Sequence, residues 1–351
     1  MKLRKRSSVV ATLLVSLLAV MMITACSTSQ PAAPAKPADS AKPAAPAAQT
    51  VTLKLGHAVE PVMPLHSGAE KFAELAGKKS NGSLKVEVFP SAQLGGEKDL
   101  TEGTQMGSID MSIVSSGSIA RFAPMQHITY APYLFRDVDH FNKVYRGPIG
   151  DEMTKQLLDK TGIRALDMSW YYGVRHLTTK NTSVKTPADM KGLKIRTPNI
   201  PVMKDAISAW GVSVTTMDPS ELYTALQTGV VDGQENPPSS IFGWKLYEVQ
   251  KYLMLTGHMM GNMVIMVNDK AYQKLTPDQQ KALTEAAREA GTFQSNLTIS
   301  KDKENVEKLK QAGMTVVEPQ VEEFRKLSAS IIPQYEKEWG EGLYKRVQDT
   351  K

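Results

Sequence analysis

The chain has 351 residues and a formal net charge of +6, from 42 Lys and Arg against 36 Asp and Glu, with six His and a single Cys. Four of the positive charges, Lys2, Arg4, Lys5 and Arg6, sit at the start, so the remainder carries 38 basic against 36 acidic residues, or +2. That balance, without a dense basic run after residue 50, speaks against nucleic acid as a partner, and one cysteine excludes an intramolecular disulfide or a thiolate metal cluster.

Residues 1–26 read as an export signal. The basic start leads into an apolar stretch from Val9 to Ile23, with Ser16 inside it, and then into Thr24-Ala25-Cys26. A basic start, a short apolar run and small residues at the cut describe a secretory signal peptide. The run is too short to read first as a transmembrane helix. Small residues before the lone Cys26 resemble a bacterial lipoprotein lipobox, with Ile23 where that motif prefers leucine. The reading is that Cys26 is lipidated and anchors the chain to a membrane. The alternative is an ordinary signal peptide cut near this point, with Cys26 incidental. Residues 27–50 follow as a tether of Ala and Pro with a few Lys and Ser, among them Pro31, Pro34, Pro37, Pro43 and Pro46. Such a stretch has too little apolar bulk to offset the entropy of ordering, and at about 3 Å per residue it reaches on the order of 70 Å.

From Val51 the elements alternate. Val51–Leu55 has strand periodicity, Leu65–Lys79 places Leu65, Ala69, Phe72, Ala73 and Ala76 on one helical face, and Leu84–Phe89 alternates again. A short helix over Asp99–Met106 and a strand over Ile109–Val114 complete a β-α-β-α-β order, which implies a mainly parallel sheet covered by helices. Later, Ile163–Met168, Val174–Thr179, Leu193–Arg196, Val212–Thr215 and Met263–Val267 read as strands, and Pro201–Trp210 as a helix. Asp218-Pro219-Ser220-Glu221 combines an N-cap Asp, Pro at the first helical position and Glu two residues on, opening a helix that stops at Gly229. Thr276-Pro277-Asp278-Gln279 is a second such start. It opens a helical stretch to about Gln311 that spans roughly 50 Å, enough to brace two lobes.

Motifs for enzymatic chemistry are absent. There is no Gly-rich phosphate loop, no G-x-S-x-G and no H-E-x-x-H, and His57, His66, His127, His140, His176 and His258 show no short metal-ligand spacing. No enzyme activity, cofactor or metal is therefore expected. Three segments stand out instead: Tyr172-Gly173-Val174-Arg175-His176, Met190 to Asn199 (MKGLKIRTPN), and Glu221 to Pro237 (ELYTALQTGVVDGQENP). With Pro90–Gly95 and Tyr247–Lys251, they resemble the DctP-type solute-binding proteins of tripartite ATP-independent periplasmic (TRAP) transporters.

The resemblance, which covers the chain from Val51 onward, implies an α/β, two-lobed fold that closes on its ligand like a flytrap, with a hinge and a long bracing helix. It implies lobes of 51–173 with 262–301, and of 174–261 with 302–351, crossing near Gly173 and near Gly261-Asn262. It implies a small carboxylate ligand, such as a dicarboxylate or a sugar acid, and delivery to the small and large membrane subunits of a permease. Residue by residue, it carries the carboxylate-gripping arginine onto Arg196, a second arginine onto Arg175 and a site asparagine onto Asn236.

The residues themselves agree in part. Arg196 ends a strand before Thr-Pro, at the sheet edge where open α/β folds bind ligands, and a guanidinium matches a carboxylate with two donors as a lysine cannot. Arg175 reads either as a second ligand contact or as an ion pair across the lobes. Asn236, after the turn pair Asp232-Gly233, reads either as a ligand contact or as a turn residue bonded to its own backbone. Ser115 follows a strand end where sialic-acid-binding members carry a glutamate, which makes that ligand unexpected. His57 is placed to reach the cleft, or is simply a loop histidine; Trp170 and Tyr172 wall the site, or Trp170 belongs to the core. Pro219 stands where some members present a stacking phenylalanine. A sensor subunit handing its ligand state to a membrane kinase is the alternative to transport.

Overall fold

The computed structural model describes residues 50–351; the export signal, Cys26 and the tether up to residue 49 lie outside the described residues. In chain order the elements are β1 (Val51–His57), α1 (Pro64–Lys79), β2 (Leu84–Phe89), α2 (Glu97–Met106), β3 (Met111–Ser115), α3 (Ser116–Ala120), α4 (Val138–Tyr145), α5 (Pro148–Thr161), β4 (Ile163–Thr179), β5 (Lys194–Thr197) and α6 (Pro201–Ser208). They continue with β6 (Ser213–Thr216), α7 (Pro219–Thr228), β7 (Gly233–Asn236), α8 (Pro238–Gly243), β8 (Tyr252–Asn268), α9 (Asp269–Gln273), α10 (Pro277–Gln311), β9 (Thr315–Val317), α11 (Val321–Ala329), α12 (Ile332–Trp339) and α13 (Leu343–Asp349).

Local signals set many of these limits. α1 buries Leu65, Ala69, Phe72 and Ala76 along one face. α7 ends at Gly229, whose φ of 76° is the left-handed conformation that a glycine cap tolerates. Asp218 holds the N-cap position, although its side chain accepts no capping hydrogen bond there. α10 runs 35 residues from a complete capping box, in which Thr276 Oγ1 accepts from the Gln279 amide and Gln279 Oε1 accepts from the Thr276 amide. Its first half packs Leu283, Ala286 and Ala290 with Phe72 of α1 and Leu55 of β1, and Leu309 near its end packs with Leu222, Leu226 and Leu253.

One mixed sheet runs through the fold in the order β2-β1-β3-β8-β4-β7-β5-β6, with β9 added on β8. The β-α-β-α-β segment forms the parallel sheet expected of it, and the two long strands make the whole sheet mixed. The flanks β2-β1-β3 and β7-β5-β6 are parallel, but β8 and β4 are antiparallel to each other and to the flanks they join. β4 and β8 are 17 residues each and continue through the places where the sequence suggests breaks. The strands expected over Ile163–Met168 and Val174–Thr179 are thus one, and Met263–Val267 is the end of another. The reason lies at Gly173, which pairs with Gly261 beside a register shift. Gly173 adopts φ +119°, and a Cβ there would lie 2.6 Å from Asp302 Oδ2 and 2.7 Å from Pro237 Cβ. Glycine absorbs the irregularity without ending the ladder.

Candidate functional site

Two buried arginines sit on strands that flank one shared neighbour. β4 supplies Tyr172 and Arg175, β5 supplies Arg196, and β7 between them supplies Glu235 and Asn236. The register places His176 opposite Asn236 and Leu177 opposite Glu235, while Arg196 lies opposite Gln234.

Arg196 is 1% exposed. Its Nε and Nη2 donate to the Met217 carbonyl just past β6, with Nε at 3.0 Å. Among the described residues it forms no ion pair, and Glu235, Arg175, Asp218 and Tyr172 all influence it from beyond contact. Burial lowers it to about 10, with the Glu235 charge opposing and the Arg175 charge adding, so it stays cationic at neutral pH.

Arg175 is bound differently. Its Nη2 donates to Glu235 Oε1 at 2.9 Å and to the Glu235 carbonyl at 2.8 Å, and its Nε donates to Oε2. The pair therefore joins the adjacent strands β4 and β7. Burial disfavours both charges, but their attraction wins: it holds Arg175 above and Glu235 below the ordinary range. His258 Nε2 lies 3.2 Å from Glu235 Oε2, and its Nδ1 lies 2.8 Å from Thr256 Oγ1. Burial keeps His258 neutral against the pull of Glu235. Both arginines thus spend the Nε–Nη2 edge on protein acceptors, and Nη1 of neither is hydrogen-bonded among the described residues.

Asn236 ends strand β7 and is not part of a turn as expected. Its Nδ2 donates to Gln234 Oε1 at 2.5 Å, and Gln234 Nε2 donates to Thr178 Oγ1 at 2.9 Å. Ser115 closes β3 and donates to Glu97 through its amide and its hydroxyl, joined there by the Ser118 hydroxyl. The Tyr130 hydroxyl accepts from the Gly117 amide at 3.3 Å. Tyr172 accepts from Ser240 Oγ at 2.9 Å. Burial raises Tyr172 and raises Tyr130 to about 12; in both, Glu97 adds to the rise and Arg175 opposes it.

Two expected residues are not brought here. His57 is fully buried, with Nδ1 accepting from the Val59 amide at 3.2 Å and Nε2 3.2 Å from His66 Nδ1. Burial and the neighbouring His66 lower it to about 4, so both nitrogens are occupied and the ring is neutral. Trp170 is a core residue: its Nε1 donates to the Ala287 carbonyl at 3.1 Å, and Gly68 and Gly291 lie close enough that a Cβ on either would strike its ring. Sequence reasoning missed Glu97, Ser118, Tyr130, Glu235 and Met217. Glu235 lies inside a segment singled out for its asparagine. Glu97 carries no local signal at all, because only the packing of α2 against the β3–α3 junction makes it part of the site. A cavity of about 100 Å³ lined by Val62, Ser239, Phe242 and Lys308 lies elsewhere, along α8 and α10, and none of the arginine-cluster residues lines it.

Beside Gly173, Asp302 of α10 accepts from the Ser239 amide at 3.0 Å and from its hydroxyl at 2.6 Å. Burial pushes its carboxyl up to about 6, with Ser239 opposing, whereas an unfolded Asp titrates near about 3.9. Between roughly pH 4 and 6 the native state therefore binds more protons than the unfolded one, and stability falls as pH rises through that window. Urea unfolding of Asp302→Asn at pH 4 and pH 7.5 tests this. The variant should gain on the parent protein by about 2–3 kcal/mol between those values, at ~1.4 kcal/mol per pKa unit. A pH-independent difference would show that Asp302 does not titrate in this way.

Comparison with known proteins bears on the family and the fold. The family described as "Bacterial extracellular solute-binding protein, family 7" matches residues 55–340. The 2,3-diketo-L-gulonate-binding periplasmic protein YiaO of Escherichia coli K12 is 35% identical over 266 residues, 76% of this chain and 80% of that protein. A TRAP periplasmic solute-binding protein from Polaromonas sp. JS666, bound to D-erythronate, superposes with a TM-score of 0.82 at 34% identity, covering 86% of this chain and 99% of that one. Another from Sulfurospirillum deleyianum, with bound succinate, gives a TM-score of 0.80 at 30% identity over 86% and 99%. This chain therefore belongs to family 7 of the bacterial extracellular solute-binding proteins, the two-lobed receptors of TRAP transporters.

Proposed function

We propose that this receptor takes a small organic acid by its carboxylate, held end-on by the Nη groups of Arg196, with Arg175 and Asn236 completing that end of the site, and passes it to the small and large membrane subunits of a TRAP permease. The observation that carries this reading is Arg196 itself: a guanidinium 1% exposed, with no carboxylate in contact among the described residues. Burying a charge is expensive unless it is paired, so the site favours an anionic partner. The ligands named for the relatives, 2,3-diketo-L-gulonate, D-erythronate and succinate, are all carboxylates, which supports the class.

Closure is proposed between 51–173 with 262–301 and 174–261 with 302–351. The Gly173–Gly261 pairing in the two long strands and the span of α10 support it. Binding without turnover is proposed because the site holds ion pairs and hydrogen-bond donors but no activated nucleophile in the groups described above. A thermal-shift panel of organic acids tests the reading: a ligand at 100 times its Kd should stabilise by about 2.7 kcal/mol, and its ester or amide should not. No shift with any acid would refute it.

Export and lipidation at Cys26 complete the proposal. The motif before the lone cysteine supports it, and the solute-binding role requires a chain outside the cytoplasm. Cys26→Ser should release the protein from membranes without detergent, and fractionation reads the outcome. Equal membrane retention of the variant would exclude the lipid anchor.

A further inference from the structure

The last three helices change partners along the chain. α11 packs on α6: Phe324 meets Trp210 edge-on with ring centroids 4.9 Å apart, and Trp210 Nε1 donates to Ser328 Oγ at 2.7 Å. α12 and α13 are instead fixed to residues 124–157. Glu338 pairs with His127, and Arg346 grips both carboxylate oxygens of Glu152 at 2.5 and 3.0 Å. Arg136 donates to the Gln348 and Thr350 carbonyls, and His140 Nε2 lies 2.8 Å from the Val347 carbonyl. Between α11 and α12 the backbone stays helical, with φ −63° at Ser330 and −87° at Ile331. Pro333 has no N–H to reach the Ala329 carbonyl four residues back, which is why the helix breaks there. One contact runs back across this joint. Asp205 of α6 accepts on Oδ2 from the Tyr335 hydroxyl at 2.7 Å and from Gln334 Nε2 at 3.0 Å. Tyr335 also shares a buried apolar cluster with Met203 and Ala206 of α6. α6 follows directly on the Arg196 strand through Pro198-Asn199-Ile200, so this contact ties the C-terminal segment to the arginine end of the site.

We propose that Ile331–Thr350 is a strap that moves with the lobe of 51–173, and that its hydrogen bonds to Asp205 are a latch across the lobes that favours the closed form. This rests on the closure proposed above and moves one boundary of it, so that the second lobe ends at residue 330; it does not depend on which acid is bound. The anchors of α12 and α13 on Glu152, Arg136, His140 and His127 outnumber the single carboxylate that α6 offers, so on opening it is the Asp205 contact that parts. A ligand that needs the closed form binds more weakly in proportion to the fraction of protein closed. A hydrogen bond to a charged acceptor moves such an equilibrium by about tenfold. The latch therefore sets affinity without touching the ligand.

Scattering and calorimetry on the full chain, in a Cys26→Ser background, test the latch. Asp205→Cys with Gln334→Cys removes it, and a short bismaleimide joining the two thiols replaces it covalently. With no ligand present, small-angle scattering should give a smaller radius of gyration for the joined form than for the unjoined one. Equal radii would show that α6 and α12 move together and would overturn the proposal. Calorimetry uses succinate, D-erythronate and D-glucuronate, carboxylates bound by solved relatives. Asp205→Ala should weaken every acid that binds by the same factor of about ten. Tyr335→Phe keeps the ring and its packing and loses only the hydroxyl, so it should give a smaller loss, again equal for each acid. Factors that differ between acids, or unchanged affinity in both variants, would rule the latch out. Failure of all three acids to bind the parent protein would count against the carboxylate reading alone, and the scattering comparison would still decide the latch.

Discussion

Arg196→Ala should weaken ligand binding by about a hundredfold or more while leaving the fold intact. Removing one side of a buried charged pair costs roughly 3–5 kcal/mol, because the partner is left unmatched, and each 1.4 kcal/mol is about a factor of ten. Fold stability should suffer far less, since in the free protein the Arg196 head bonds only to the Met217 carbonyl among the described residues and its burial disfavours the charge. Arg196→Lys keeps the charge but loses the planar fork, so it should recover only part of the affinity. Calorimetry against the best acid from the thermal-shift panel reads both variants. If Arg196→Ala binds the acid with unchanged affinity and an unchanged circular dichroism spectrum, the carboxylate is held elsewhere.

Glu235→Ala should act on stability first and on binding second. It strips Arg175 of its carboxylate in a fully buried setting and leaves His258 Nε2 without its acceptor. Breaking such a pair costs about 3–5 kcal/mol, which for a chain of this size corresponds to a fall in Tm of roughly 5 °C. The pH dependence has a definite sign. The Glu235 carboxyl is held below its ordinary range in the folded protein. Its contribution is therefore complete above the unfolded value of about 4.3 and is lost as pH falls through the lower folded value. Replacing both partners, Arg175→Met with Glu235→Leu, should recover much of the stability by removing the buried charges together, while ligand affinity stays reduced. A Tm for Glu235→Ala within a degree of the parent protein would show that the pair contributes nothing net.

The two variants separate the arginines. Arg175 is matched within the protein by Glu235, so its charge is neutralised before any ligand arrives. Arg196 is not matched in contact, so a ligand carboxylate has more to gain there. Both guanidiniums present only the end away from Nε, and this favours an end-on approach over the side-on fork that Arg175 already uses for Glu235.

What the sequence determined by itself follows from short-range physics. The capping box at Thr276 and Gln279, the glycine stop at Gly229 and the apolar face of α1 lie within a few residues of the structure they specify, so the limits of α10, α7 and α1 are legible. The family, and the placing of Arg196 on a short strand, were legible for the same reason: their motifs are contiguous, whereas the burial of Arg196 was not. Tertiary structure decided the rest. Gly173 reads as a break until Gly261 appears opposite it and the ladder continues. Asn236 reads as a turn residue until β4 pairs with its strand. Arg175 finds a carboxylate 60 positions away, Ser115 one 18 positions away, and Trp170 a carbonyl 117 positions away. A side chain's partner is chosen by whatever the packed chain brings within about 3 Å, and no local periodicity or cap encodes that choice.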